Sequence, residues 1–244
     1  MLEQNSRTEL IIGKCAMDKL ASSRVIVFGV GGVGGYVVEA LARCGVGNID
    51  IVDSDKLVLS NINRQIYALH STIGEDKVDV AKRRILDINP EIKVNVYKTF
   101  YTPQTSCEFD FSQYDYVVDA IDTVSGKLEI VQQADKCGVP VISSMGAGNK
   151  MFPEKFEVAD IYDTSVCPLA RVMRQELRKR EIKKLKVVYS KEKPVAGYKN
   201  ADQDEAMQKR VPGSISFVPS VVGLIIAGEV VKDLINYGNK KSSL

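Results

Sequence analysis

The sequence lacks the features that would mark a secreted, membrane-spanning or zinc-finger protein. Its five cysteines (Cys15, Cys44, Cys107, Cys137, Cys167) are odd in number and scattered, and no two form a C-x-x-C pair. That spacing argues against a disulfide framework and against a zinc knuckle, and the thiols read as reduced groups of a cytoplasmic protein. Histidine occurs once, at His70, and reads as structural, which leaves no obvious general base. The opening "MLEQNSRTEL" has no apolar core of the signal-peptide kind. Charge of one sign is also missing: 33 basic residues face 31 acidic ones, a net +2 that alone predicts no acidic partner. Long uncharged apolar runs are absent too. The strongest candidate, Ile215 to Ile235, contains Pro219, two glycines, Glu229 and Lys232, and its uncharged part falls short of the roughly 20 residues a span needs. It reads as a buried packing helix, with no stable membrane association expected.

What is present alternates between strands and helices. With 45% hydrophobic residues in 244, the chain suits one domain, or one domain with a sizeable appendage. Apolar β-branched runs at Val25–Phe28, Ile49–Val52, Val94–Tyr97, Tyr116–Ala120 and Val139–Ser143 predict strands. Helical patterns at Val33–Cys44, Lys77–Asp87 and Lys127–Lys136 separate them. The fold class this implies is α/β, a Rossmann-like, doubly wound, mainly parallel sheet. After Gly148 the rhythm changes. Strands are expected at Phe156–Asp160 and Lys186–Ser190, a basic helix from Pro168 to Lys184, and a mobile polar loop over 194–213. The boundaries expected are 1–150 for a nucleotide-binding domain and 151–244 for a C-terminal α+β extension continuing the same sheet, serving substrate binding and dimerisation.

The chemistry starts at "FGVGGVGG". Gly29, Gly31 and Gly34 match G-x-G-x-x-G between a strand and a helix, where backbone amides approach phosphate oxygens at the positive end of the helix dipole. Asp53 ends the next strand, placed to accept hydrogen bonds from ribose hydroxyls. These features suit NAD and ATP equally. "SNINRQ" (Ser60–Gln65) and the helix-opening Lys77 separate the two. A pyrophosphate carries two charges, whereas a triphosphate carries about four, which Arg64 and Lys77 would offset in a partly dry site. Taken singly, both also read as ordinary surface charges. Asp122 follows the fourth strand in "VVDAID", where a carboxylate can hold Mg²⁺ against phosphates and where Asp122 or Thr123 could equally cap a helix.

As a set, these motifs resemble the ubiquitin-activating-enzyme-like adenylyltransferases. The resemblance rests on G-x-G-G-x-G, D-x-D (Asp53, Asp55), S-N-x-N-R-Q, the helix-opening lysine and D-x-x-D, and covers roughly Arg7 to Asn149. It implies ATP with Mg²⁺ rather than NAD. By that resemblance Gly29, Gly31, Gly32, Gly34, Asp53, Asp55, Ser60, Asn61, Asn63, Arg64, Gln65, Lys77, Asp122 and Thr123 form the nucleotide site. Asp53 binds ribose, Asn63, Arg64 and Lys77 hold phosphates, and Asp122 binds the metal. Arg7 matches an arginine that the family sends into a partner subunit's site, so a homodimer is implied, and Arg7, Arg64, Lys77 and Asp122 become the catalytic set.

The second half narrows the resemblance. Sulfur-carrier activators of this superfamily hold zinc with two C-x-x-C pairs, and here the corresponding region carries Cys167 alone. "GAGNK" (Gly146–Lys150), Phe156–Arg180, Val187–Pro194 and Gly213–Leu234 closely resemble the tRNA threonylcarbamoyladenosine dehydratase branch. That implies a substrate tRNA carrying threonylcarbamoyladenosine, whose threonyl carboxylate is adenylated and then cyclised. Charge distribution agrees independently. Arg171 to Lys193 holds ten basic and three acidic residues, so Arg171, Arg174, Arg178, Lys179, Arg180, Lys183 and Lys184 are the candidate tRNA contacts. The alternatives kept open are an activator of a ubiquitin-like sulfur-carrier C-terminus, an NAD-binding oxidoreductase, and a sulfur relay through Cys167. Whether an accessory sulfur-transfer protein binds is left open as well.

Overall fold

The computed structural model describes residues 3–195 and 212–237; most of the polar stretch expected to be a mobile loop lies outside them. Among the described residues, seven strands form one sheet: β1 (Arg24–Phe28), β2 (Asn48–Val52), β3 (Lys93–Tyr97), β4 (Tyr116–Asp119), β5 (Val141–Ser144), β6 (Phe156–Asp160) and β7 (Lys186–Ser190). The order is β3-β2-β1-β4-β5-β7-β6, parallel throughout except for β6 against β7. Helices α1 (Ser6–Ile12), α2 (Lys14–Ser22), α3 (Gly34–Arg43), α4 (Lys77–Ile88), α5 (Val124–Cys137), α6 (Pro168–Lys179) and α7 (Phe217–Leu234) cover it. The doubly wound α/β architecture expected from the alternation of elements is the one that forms. β1 has β2 on one side and β4 on the other, so the chain reverses direction of growth there. In open α/β sheets, ligands bind at that switch point, beyond the carboxyl ends of the strands.

The central strands are apolar on both faces because helices cover both. Val25, Val27, Ile49, Ile51 and Val118 pack with α3, α4 and α7, while Ile26, Phe28 and Val117 join the aromatic cluster of Tyr101, Phe109 and Phe111. Helix α7 is the apolar segment that a hydropathy scan would misread. Gly223 lies 190 positions after Val33, yet a Cβ at Gly223 would lie 2.4 Å from the Val33 carbonyl oxygen, so only glycine lets α7 close against the start of α3. No described helix is long and apolar enough to cross a membrane.

Several boundaries differ from expectation, three of them with a clear physical reason. Helix α5 begins at Val124, three residues early, because Gly126 packs tightly under Ile121 and Thr123 rather than breaking the helix. Strand β5 runs Val141–Ser144, since Pro140 cannot donate to the ladder. The basic helix stops at Lys179 instead of Lys184: Glu181 adopts φ 59° and turns the chain so that Ile182 and Leu185 are buried.

One polar cluster sits inside this core. Lys127 of α5 and Asp119 at the end of β4 are both fully buried, with Lys127 Nζ donating to both Asp119 oxygens at 3.0 Å. Ser143 on β5 donates to the same carboxylate at 2.5 Å, and the Ile121 amide at 3.3 Å. The pair thus ties β4, β5, α5 and the turn carrying Asp122. Removing one partner of a buried pair strands a charge and costs about 3–5 kcal/mol. Lys127→Met is therefore expected to lose about that much stability in urea denaturation, and Lys127→Met combined with Asp119→Asn to regain a substantial part; equal stability of wild type and the single variant would contradict the tie.

Candidate nucleotide-binding site

The site is built on the turn from β1 into α3. A Cβ at Gly34 would lie 1.8 Å from the Gly29 carbonyl oxygen, so a side chain there is sterically impossible and the loop can double back tightly. Gly35, Tyr36 and Val37 already donate to the carbonyls of Gly31 and Val33, so the amides left free for a ligand at the carboxyl edge of the sheet are those of the loop itself, Gly31 to Gly34. Asp53, just past β2, braces the loop from the side: its Oδ2 accepts the Val30 N–H at 2.8 Å and its Oδ1 the Asp55 N–H at 2.8 Å. Each oxygen keeps a lone pair for a further donor such as a ribose hydroxyl.

The two cations stand beside the loop. Lys77, at the first turn of α4, is 6% exposed, and its Nζ lies 2.8 Å from Asp55 and 3.7 Å from Asp53. Arg64 extends across Gly32, where a Cβ would lie 3.4 Å from the Arg64 side chain and 3.3 Å from Pro219 of α7. Its Nη1 donates to the Ser60 carbonyl at 2.9 Å and to Asn63 Oδ1 at 2.8 Å. Arg64 is therefore held by neutral acceptors, and Lys77 by the carboxylates of Asp55 and Asp53. A polyphosphate offers them more charge than a carbonyl or an exposed carboxylate does.

The motif "SNINRQ" divides its labour. Asn61 is buried and accepts the Val58 N–H at 3.2 Å, which shapes the turn. Gln65 is buried beside Gly31, and its Oε1 has no hydrogen-bond partner among the described residues. A buried acceptor without a donor carries a cost of about 1–3 kcal/mol, and a ligand donor arriving over the glycine loop would relieve it. That orphaned atom, with the cradle and the cations, fits a nucleotide. Asp122 is exposed, one residue before Thr123, the N-cap of α5. It has no hydrogen bond or ion pair among the described residues, and no cluster of three metal-ligating side chains occurs there. A single carboxylate suits Mg²⁺, which takes its other ligands from phosphates and water.

Other expected residues are placed elsewhere. Arg7 lies on α1, which packs on α2, and α2 abuts the turn at Gly45–Gly47 before β2, the edge opposite the glycine loop. Arg7 is exposed and makes no bond to any site residue described. The basic segment is split. Arg174 turns inward to the Thr164 carbonyl at 2.9 Å and to its hydroxyl. Arg180 is bonded to Gln132 at 3.2 Å and to the Glu176 carboxylate at 2.7 Å, and Lys179 to Glu176 at 2.6 Å. Arg174 and Arg180 thus tie α6 to Thr164 and Gln132, whereas Lys179 is exposed and pairs within the helix, with Glu176. Arg171, Lys183 and Lys184 are exposed and unpaired among the described residues, and Arg178 lies over the Tyr162 ring. Cys167 is buried at the N-cap of α6. The sequence reading missed Lys127 and Asp119. The first aspartate of D-x-x-D and a lysine in the first turn of the following helix were the available signals.

Fold and site together define a nucleotide-binding protein of the Rossmann-like class. The chain belongs to the ThiF family, whose model matches residues 4–244. It is 48% identical to the tRNA threonylcarbamoyladenosine dehydratase of Bacillus subtilis over 243 residues, covering 96% of each sequence. Among solved structures it is similar to an E. coli tRNA N6-threonylcarbamoyladenosine dehydratase in complex with AMP, with TM-score 0.86, 29% identity, and 96% of this chain and 95% of that one covered. The same enzyme in complex with ATP gives TM-score 0.87 at 29% identity, with 98% and 97% covered.

Proposed function

We propose that this protein is an ATP-dependent tRNA threonylcarbamoyladenosine dehydratase, which adenylates the threonyl carboxylate of the modified adenosine and releases AMP as the ring closes. The observation that carries the substrate is similarity running through both halves, at 96% of each chain. Activators of sulfur-carrier proteins share the nucleotide half, so likeness across β6, α6, β7 and α7 favours the tRNA reading over that alternative.

The chemistry follows from what a carboxylate lacks. Its oxygen is a poor leaving group, and attack on the α-phosphorus of ATP converts it into a mixed anhydride from which AMP departs readily. Pyrophosphate leaves in the first step. The amides of the glycine loop and the side chains of Arg64 and Lys77 stabilise charge on the phosphates, Lys77 by exchanging Asp55 for the nucleotide. Magnesium, when bound, neutralises further phosphate charge, and Asp122 is the residue that would hold it. A nucleophilic atom of the substrate's own carbamoyl group then attacks the acyl carbon, and a proton leaves that group. Intramolecularity supplies the rate enhancement, so no enzyme nucleophile is needed. Water is lost in net terms, its oxygen carried away in AMP. Buried Cys167 has no part in this sequence.

The tRNA backbone is read by Arg171, Arg178, Lys183 and Lys184, the cations that α6 and the following turn leave outward. The working unit is a homodimer in the cytoplasm. Arg7 supports this: it stands away from its own chain's loop on a short helix whose Leu10 and Ile11 are 88% and 78% exposed, an apolar surface suited to a second copy.

Two experiments test this reading. Nucleosides from threonylcarbamoyladenosine-containing tRNA, treated with enzyme and ATP, are expected to lose one water in mass spectrometry with one AMP formed per product. Unchanged tRNA, together with adenylation of a ubiquitin-like C-terminus, would select the alternative. Mixing equal amounts of inactive Arg7→Ala and Lys77→Ala subunits is expected to restore up to about a quarter of wild-type turnover, because half of the dimers are mixed and one of their two composite sites carries neither lesion. No recovery despite demonstrated subunit exchange would place Arg7 outside the shared site.

A further inference from the structure

A single residue links the loop after β5 to the phosphate motif. Asn149 has φ 56°, in the left-handed region that asparagine tolerates better than most residues. Its N–H donates to the Gly213 carbonyl at 2.8 Å, and its side-chain Oδ1 accepts the Gly213 N–H at 2.7 Å. Its own carbonyl accepts the Val195 N–H at 2.8 Å. Gly213 is thus gripped from both sides, and the approach is close: a Cβ at Gly148 would lie 2.7 Å from Pro212. The next residue, Ser214, presents its carbonyl to Asn63 Nδ2 at 3.0 Å, and Asn63 Oδ1 receives Arg64 Nη1 at 2.8 Å.

We infer that Asn149 is a positioning residue for Arg64, acting through Ser214 and the Asn63 amide. The inference rests on the reading of Arg64 as a phosphate ligand. The physical reason is the polarity of an amide. Asn63 has one face that donates and one that accepts, and the Ser214 carbonyl requires the donating face. The accepting face is then turned to Arg64. Were the Ser214 carbonyl to shift, the amide would lose the constraint on its flip. Its NH₂ would meet the guanidinium as donor against donor, and a long, partly exposed side chain would lose its aim. Asn149 fixes that carbonyl by holding the adjacent Gly213 through two hydrogen bonds. Asn149 itself is not among the residues assigned to the nucleotide.

Asn149→Gly tests this with little backbone disturbance, since glycine adopts φ 56° without strain and only the side-chain acceptor is removed. Its melting midpoint is expected to stay within a few degrees of wild type. Calorimetric ATP affinity, measured without tRNA, is expected to fall about fivefold, the effect of one net hydrogen bond. In an Asn63→Ala background the same substitution is expected to change ATP affinity by less than about twofold, because the route to Arg64 is already cut. An unchanged affinity in the wild-type background, an equal loss in both backgrounds, or disappearance of the melting transition would each overturn the inference. Failure of the wild-type protein to bind ATP would instead overturn the nucleotide reading beneath it, so the two failures are distinguishable.

Discussion

The contact between Gly34 and the Gly29 carbonyl is the constraint on which the site depends. With no room for even a methyl group, the chain leaves β1 at Phe28 and enters α3 at Gly34 through a tightly folded loop. The free amides of that loop then stand over the carboxyl edge, between β2 and β4. Everything that follows is placed relative to this turn: Asp53 braces it at Val30, Arg64 crosses Gly32, and the first turn of α7 brings Pro219 to its other side. A bulkier residue at Gly34 would move the helix end away from all three.

A second feature is how charge is stored before a nucleotide arrives. Lys77 is almost entirely buried yet faces Asp55, which is largely exposed, and the more sheltered Asp53. Arg64 rests on a carbonyl and an amide oxygen. Neither cation is locked in a buried ion pair of the kind that joins Lys127 to Asp119. The contrast separates two roles. The Lys127–Asp119 pair is dry, multiply bonded and part of the scaffold, whereas the cations at the loop have partners they can give up for phosphate. On the proposed reading, a nucleotide takes the place of the neutral acceptors of Arg64 and of the Asp55 partner of Lys77.

Much of this was legible in the sequence because it is local. The glycine spacing, the acid ending β2 and the lysine opening α4 each sit at a fixed distance from a strand or helix boundary, so periodicity and motif spacing locate them. The alternation of elements gave the doubly wound sheet for the same reason. What could not be read depends on contacts between distant segments. Lys127 looks like a surface residue until the β4 end is folded over it. Arg174 and Arg180 belong to a basic run whose charge points to tRNA contacts, but Thr164 and Gln132 draw them in. The early end of α6 follows from the burial of Ile182 and Leu185, which no local helix signal encodes. Asn149 was visible only as part of "GAGNK"; its partners at Val195 and Gly213 lie 46 and 64 residues away in the chain.

The account's central claim is that the edge formed by the glycine loop, Arg64 and Lys77 activates a carboxylate as an acyl-adenylate. Adenylation carries one carboxylate oxygen onto phosphorus, and no other route from ATP to a dehydrated product does so in the same place. The most direct measurement uses tRNA whose threonyl carboxylate is enriched in heavy oxygen, with mass spectrometry of the AMP and pyrophosphate released in a single turnover. The account predicts one heavy oxygen in each AMP and none in pyrophosphate. Heavy oxygen recovered in pyrophosphate or in water, with unlabelled AMP, would contradict it.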